Sequence, residues 1–171
     1  MKKFILLCLL SSLSTLSAEE LKIKSDTFTS DQNKGISIFS GNVEMVKSSD
    51  ELNASKVTIY TDKKNKPKKF VATGNVSFVL STKEGTKYRG VAQKVIYIPK
   101  IKEYRFYDSV HLKQIGDKKE ILGDEVIFKT IEGKAYAKGM KKEPVIMIFD
   151  IADDDTPDNN DTNITTTKDQ K

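Results

Sequence analysis

The chain has 171 residues, 37% of them hydrophobic and 31% charged, with one Cys, one His and no Trp. That length allows one ordinary domain or two very small ones, and the single Cys and His exclude a disulfide scaffold, a thiolate zinc site and a double-histidine zinc motif. Lys and Arg outnumber Asp and Glu by 29 to 24, and the nine glycines never cluster as a phosphate-binding loop or dinucleotide fingerprint requires. The composition argues against an ordinary cofactor enzyme. No cofactor, resident metal or nucleic-acid partner is expected.

Residues 1–18 read as a cleavable secretory signal peptide. Lys2 and Lys3 give a basic start, residues 4–10 a continuous apolar run, and Leu16-Ser17-Ala18 a small-residue stop before Glu19. The apolar run is shorter than the roughly 20 residues needed to span a bilayer. Cys8 sits within it without the small residue that normally precedes a lipidated cysteine. Cleavage after Ala18 leaves an exported chain without cysteine, which must be held by its core alone.

Residues 19–151 read as strand, not helix. Apolar residues alternate with a period of two at Ile36 and Ile38, at Val43 and Met45, at Val57 and Ile59, at Val76, Phe78 and Leu80, and at Phe106, Val110 and Leu112. Turn residues interrupt these runs at short spacing, most clearly in Asp62-Lys63-Lys64-Asn65-Lys66-Pro67. Residues 152–171 are Asp, Asn and Thr with almost nothing apolar, and are expected to form a disordered acidic tail. Excluding the tail and the leader, residues 19–149 carry 25 basic and 17 acidic groups. That excess suits anionic surfaces or ligands, or else simply coats the protein with solvated lysines.

A repeat runs through the body. Phe39-Ser40-Gly41-Asn42-Val43 returns as Ala72-Thr73-Gly74-Asn75-Val76 and, weakened, as Phe106-Tyr107-Asp108-Ser109-Val110. Interleaved with them are Ala54-Ser55-Lys56-Val57, Ala92-Gln93-Lys94-Val95 and, after the third copy, Gly123-Asp124-Glu125-Val126. Each unit is thus strand, polar turn, strand, with glycine where a bulge or tight bend is wanted. Catalysis finds little support. His111 falls on a strand beside Val110 and Leu112, aimed away from the apolar face, with no Ser or carboxylate that the sequence places beside it. Asp124 and Glu125 are neighbours on a strand and point to opposite sides. Asp153-Asp154-Asp155 lacks the Gly and distal Glu of a calcium loop. The chain is not expected to be an enzyme.

These repeated units, of the type A-x-K-V followed by F-x-G-N-V after an export signal, resemble the OstA-like family over nearly the whole mature chain. The resemblance implies an all-β fold: an open twisted β-jellyroll built from repeated antiparallel hairpin units. It implies a periplasmic protein that binds lipopolysaccharide and carries it from inner to outer membrane for outer-membrane assembly. The alternative is a structural module of an envelope-assembly complex without its own cargo groove. The inner apolar face expected to meet lipid A acyl chains comprises Phe39, Val43, Met45, Val57, Ile59, Ala72, Val76, Phe78, Val95, Tyr97, Phe106, Val110, Leu112, Val126 and Phe128. For any one of these the plainer reading is core only. Lysines at the rim would face lipid A phosphates as point charges.

An open sheet leaves unpaired edges. Residues 21–28, with Ile23 and Phe28, are expected to form one edge strand, and Val145, Ile146, Met147, Ile148 and Phe149 the other, unless that last strand is covered by the tail or buried centrally. OstA-like partners at each membrane, and head-to-tail copies of the chain, are the expected occupants of those edges. Asp161-Thr162-Asn163-Ile164-Thr165 matches the extended acceptor pattern of bacterial N-glycosylation and singles out Asn163 as a candidate, against a chance match. Asn53 in Glu51-Leu52-Asn53-Ala54-Ser55 fits the same pattern but falls on a strand.

Overall fold

β-branched and aromatic residues at alternate positions need a pleated surface to pack on, and the chain supplies it almost without interruption. The computed structural model describes residues 20–139 and 143–150. The expected signal peptide, acidic tail and Asn163 lie outside the described residues.

Ten strands form one antiparallel sheet: β1 (Leu21–Lys24), β2 (Thr27–Asp31), β3 (Ile36–Lys47), β4 (Asp50–Thr61), β5 (Pro67–Ser81), β6 (Lys87–Ile98), β7 (Glu103–Gln114), β8 (Glu120–Lys129), β9 (Lys134–Lys138) and β10 (Ile146–Ile148). A short 3₁₀ turn, Pro99–Ile101, joins β6 to β7. The long strands pair in chain order from β3 to β8; β1 and β2 both pair with β3, and β9 and β10 both pair with β8. The two ends do not pair with each other, so the sheet stays open.

The repeat explains how one sheet makes two layers. Pairing slips by one residue at Gly41-Asn42 in β3, Gly74-Asn75 in β5 and Asp108-Ser109 in β7. All six residues have positive φ, between 45° and 82°. Three repeat copies are three bulges, and a bulge bends its strand. The third copy bends without glycine, through Asp108 and Ser109, both in the left-handed region that short polar side chains tolerate better than most. The bulge row divides the sheet. The first layer contains residues 43–47, 50–54, 76–81, 87–92, 110–114 and 120–123, flanked by β1 and β10. The second contains residues 36–40, 56–61, 67–73, 94–98, 103–107 and 125–129, flanked by β2 and β9.

Ring contacts show the layers facing each other. Phe78 of the first layer stacks on Phe106 of the second at 4.6 Å, and Tyr88 meets Phe128 at 5.4 Å. Phe106, Val43, Val57, Val76 and Val126 are the largest fully buried side chains, drawn from both layers. The core lies between the two halves of one sheet.

One expectation needs correction. Residues 21–28 do not form one strand: Ser25 and Asp26 separate β1 from β2, opposite the β3 bulge. There Asp26 N–H donates to Gly41 O at 2.9 Å, and Asn42 Nδ2 donates to Asp26 Oδ2 at 2.9 Å. The edge must break because the strand it pairs with bends. Ile36 and Ile38, the first visible alternation, lie on the outside, since Phe39 pairs with buried Val57 and Ile38 with Thr58.

Gly41 carries the first corner. A Cβ there would sit 2.2 Å from Asp26 Oδ2, on a backbone at φ +79°. Gly41→Ala is expected to lower stability by roughly 1–3 kcal/mol through strain and displacement of Asp26. Gly85→Ala shares the positive φ, at +86°, but meets nothing within 4 Å, and should cost less. Thermal melts of both variants check the difference.

Candidate functional site

Strand registry sets the inward rows. Across the first layer Ile23, Met45, Leu52, Phe78, Gly90, Leu112 and Ile121 stand side by side. Across the second run Phe28, Phe39, Val57, Ala72, Val95, Phe106, Val126 and Ala137. Of the residues expected on the inner face, Val43, Val57, Ile59, Ala72, Val76, Phe78, Val95, Phe106, Val110, Leu112, Val126 and Phe128 are buried in one cluster. Phe39 and Met45 are half-buried against it, and Tyr97 lines a cleft beside it.

That cleft opens between the layers near the β3–β4 and β6–β7 connections. It has a volume of about 90 Å³ and is walled by Leu21, Met45, Leu52 and Leu80 from the first layer, and by Val57, Phe70, Ala72, Val95, Tyr97 and Tyr104 from the second. Tyr97 and Tyr104 stack at 4.4 Å, and Phe70 tilts against Tyr97 at 6.0 Å. Burial pushes the Tyr104 phenol far above its ordinary value, with Tyr97 and Asp50 adding to the effect. It stays neutral at any physiological pH.

A polar vestibule of about 310 Å³ continues outward from the cleft, sharing Lys47, Asp50, Tyr97 and Tyr104 with it. Hairpin ends bring Lys83 and Lys102 to the same vestibule, with Ser48, Ser49, Ser81, Thr82, Thr130 and Ile131. Asp50 Oδ1 accepts from the Ser81 N–H at 2.8 Å, fixing one hairpin end to the next. Thr82 Oγ1 is buried without a hydrogen-bond partner among the described residues. An apolar throat under a lysine-bearing mouth is amphiphilic by construction.

Sequence reasoning missed several walls of this cleft. Phe70 and Tyr104 each lie two residues from an inward residue already assigned, at Ala72 and Phe106, and Leu80 continues the alternation of Val76 and Phe78. Extending each series by one step would have found them, whereas Leu52 adjoins Ala54, which was not assigned. The vestibule had no such signal, because it is made by turns far apart in sequence. The sequence places no carboxylate beside His111, but the fold does. β7–β8 registry places Glu120 beside it, with His111 Nε2 to Glu120 Oε2 at 2.8 Å and Lys113 Nζ to Glu120 Oε1 at 2.5 Å. Lys113 first, then His111, hold the Glu120 carboxyl below the usual carboxylate range. Among the described residues no cluster of His, Cys, Asp or Glu is arranged to hold a metal ion.

At the ends, Ile23 packs inward beside Met45. Phe28 faces the same interior, its ring 4.8 Å from Phe39, yet it is 58% exposed because no strand follows it among the described residues. Ile146, Met147 and Ile148 form β10, flanked by Val145 and Phe149, and all five are exposed. Among the described residues β10 pairs on one side only, with residues 120–122.

A family model described as LptA/(LptD N-terminal domain) LPS transport protein matches residues 22–134. The chain belongs to that family. Among solved structures, the fold of this LptA/LptD-type domain is similar to LptH, described as the LptA homologous periplasmic component of the lipopolysaccharide transport device from Pseudomonas aeruginosa. The similarity has a TM-score of 0.68 at 14% identity and covers 78% of this chain and 96% of that one. No curated protein sequence matches the chain.

Proposed function

We propose that this LptA/LptD-type chain is a periplasmic carrier that binds lipopolysaccharide by its acyl chains and bridges inner and outer membranes. One observation carries the reading: the apolar interior opens, between Met45 and Leu52 on one layer and Phe70 and Tyr97 on the other, into a vestibule that holds Lys47, Lys83 and Lys102. Acyl chains gain about 0.8 kcal/mol per buried CH₂, and need no polar partner. Lysines attract phosphate as compact point charges without fixing its geometry, which suits cargo that must be released. The role is non-catalytic, and the leader in residues 1–18 supplies export. The exposed edges of β1 and β2, and of β9 and β10, suit strand addition by related domains at each membrane and by further copies of the chain.

A second reading, a structural module without its own groove, draws on the cleft's volume. About 90 Å³ is well below the roughly 300 Å³ of an ordinary ligand pocket, so cargo requires the layers to part by hinging about the bulge row. Photocrosslinking decides between the two. A photoreactive residue at Leu52 or Phe70 should label lipopolysaccharide, and one at Val91 on the outer face should not. Equal labelling at all three positions, or none at Leu52 and Phe70, would favour the module.

A further inference from the structure

The outer face of the second layer has its own chemistry, unrelated to the interior. Registry sets Lys56, Thr73, Lys94 and Tyr107 in one outward row, and Ile38, Thr58, Val71 and Ile96 in the next. Lys69 stands beyond them, paired with Tyr60. Nothing acidic from β4, β5 or β6 points outward here, and the outward row meets its one carboxylate at Glu125 of β8, beside Tyr107.

The hairpin joining β4 to β5 extends this surface with Lys63, Lys64, Lys66 and Lys68, all exposed. Its one acid, Asp62, is exposed too but tied to the loop backbone. Asp62 Oδ1 accepts from the backbone N–H groups of Lys64 at 2.8 Å and Lys66 at 2.9 Å. On the outer face of the first layer lysines meet carboxylates, Lys24 with Glu44 at 2.9 Å and Lys113 with Glu120 at 2.5 Å. On the second layer such pairs lie toward the two sheet ends, Lys34 with Asp31 at 3.2 Å and Lys129 and Lys134 with Glu132 at 3.3 and 3.2 Å.

Tyrosines separate the faces further. Tyr60, Tyr107 and Tyr136 point outward from the second layer, each with a lysine ammonium 4.2–5.9 Å from its ring centroid. The registers of β4 to β8 place no tyrosine outward on the first layer. Tyrosine beside lysine, around half-exposed β-branched residues, is the composition of a membrane interface, where amphipathic rings sit at headgroup level and ammonium groups reach phosphate. A soluble polyanion would need only the charge.

We propose that the outer face of the second layer, with the β4–β5 hairpin, docks on an anionic phospholipid bilayer, laying the sheet flat against the headgroups. The inference does not rest on the cargo reading, because the face and the interior are on opposite sides of the same layer.

The test uses the full mature chain and vesicles of phosphatidylglycerol and phosphatidylcholine, free of lipopolysaccharide. Each lysine near such a surface contributes about fivefold in partitioning. The triple variant Lys56→Gln/Lys69→Gln/Lys94→Gln should therefore lower vesicle cosedimentation by about 100-fold. The quadruple variant Lys63→Gln/Lys64→Gln/Lys66→Gln/Lys68→Gln should lower it at least as far. Lys22→Gln/Lys87→Gln/Arg89→Gln, on the other outer face, should leave it nearly unchanged. Binding should weaken as salt rises and be absent on pure phosphatidylcholine. The proposal is overturned if the native chain does not cosediment with the anionic vesicles, or if the control triple loses as much as the face triple. Binding to heparin without binding to vesicles would point to a soluble polyanion and also overturn it. Crosslinking to lipopolysaccharide from Phe70 should persist in the lysine variants, which keeps the two readings separable.

Discussion

Phe106→Ala should lower the free energy of unfolding by about 3–5 kcal/mol, the largest stability loss expected from a single truncation in this chain. Phe106 is fully buried, stacked on Phe78 of the facing layer at 4.6 Å and aligned with Tyr104 at 6.1 Å. It clamps the two halves of the sheet together, so removing the ring leaves a void that neither half can fill alone. Whole-domain stabilities are about 5–15 kcal/mol, and the loss is a large share of that. Urea denaturation followed by circular dichroism measures it; a loss under about 1 kcal/mol would mean that the layers do not depend on this stack.

The largest functional effect is expected at the cleft wall. Phe70→Asp puts a charge on the apolar lining where acyl chains would lie, and lipopolysaccharide binding should fall by at least about 100-fold, since an unpaired buried charge costs several kcal/mol. Phe70 is half-buried against the core, so the fold can keep the carboxylate at the opening when cargo is absent. Met45→Asp places the same charge on the opposite wall and repeats the test if the first variant folds poorly. Titration of labelled lipopolysaccharide into folded protein gives the result, and unimpaired binding in both variants would remove the cleft from the cargo path. Phe78→Asp and Phe106→Asp, the substitutions that alternation alone suggests, are poor probes. Both rings lie in the packed core, and a charge there reports on folding rather than cargo.

The strands and their bends were legible because the same physical problem recurs. A strand that must turn a corner needs one extra residue with positive φ, and Gly-Asn provides it twice at a spacing of 33 residues. The third corner could be placed only because its flanks, Phe106 and Val110, keep the pattern. Sequence could not show that residues 21–28 would break, since the break at Asp26 answers a bulge in a different strand. Nor could it phase the outside. The bulged strand keeps its alternation, with Phe39, Val43 and Met45 all inward, whereas its partner β4, which has no extra residue, shifts from Val57 to Ala54. The lysine mouth was out of reach for a related reason, because Lys47, Lys83 and Lys102 converge only when three separate hairpins are in place.

Pairing in chain order has a kinetic consequence. From β3 to β8 each strand finds its partner across a short connection, so little loop entropy is lost before the first contacts form, and local topology favours fast folding. Assembly can begin at any central hairpin and grow outward one strand at a time, as in linear arrays of repeats. The short terminal strands, each paired on one side only among the described residues, then form last and open first. The ends of the sheet are thus its most labile parts, free to exchange one neighbour for another while the centre remains folded.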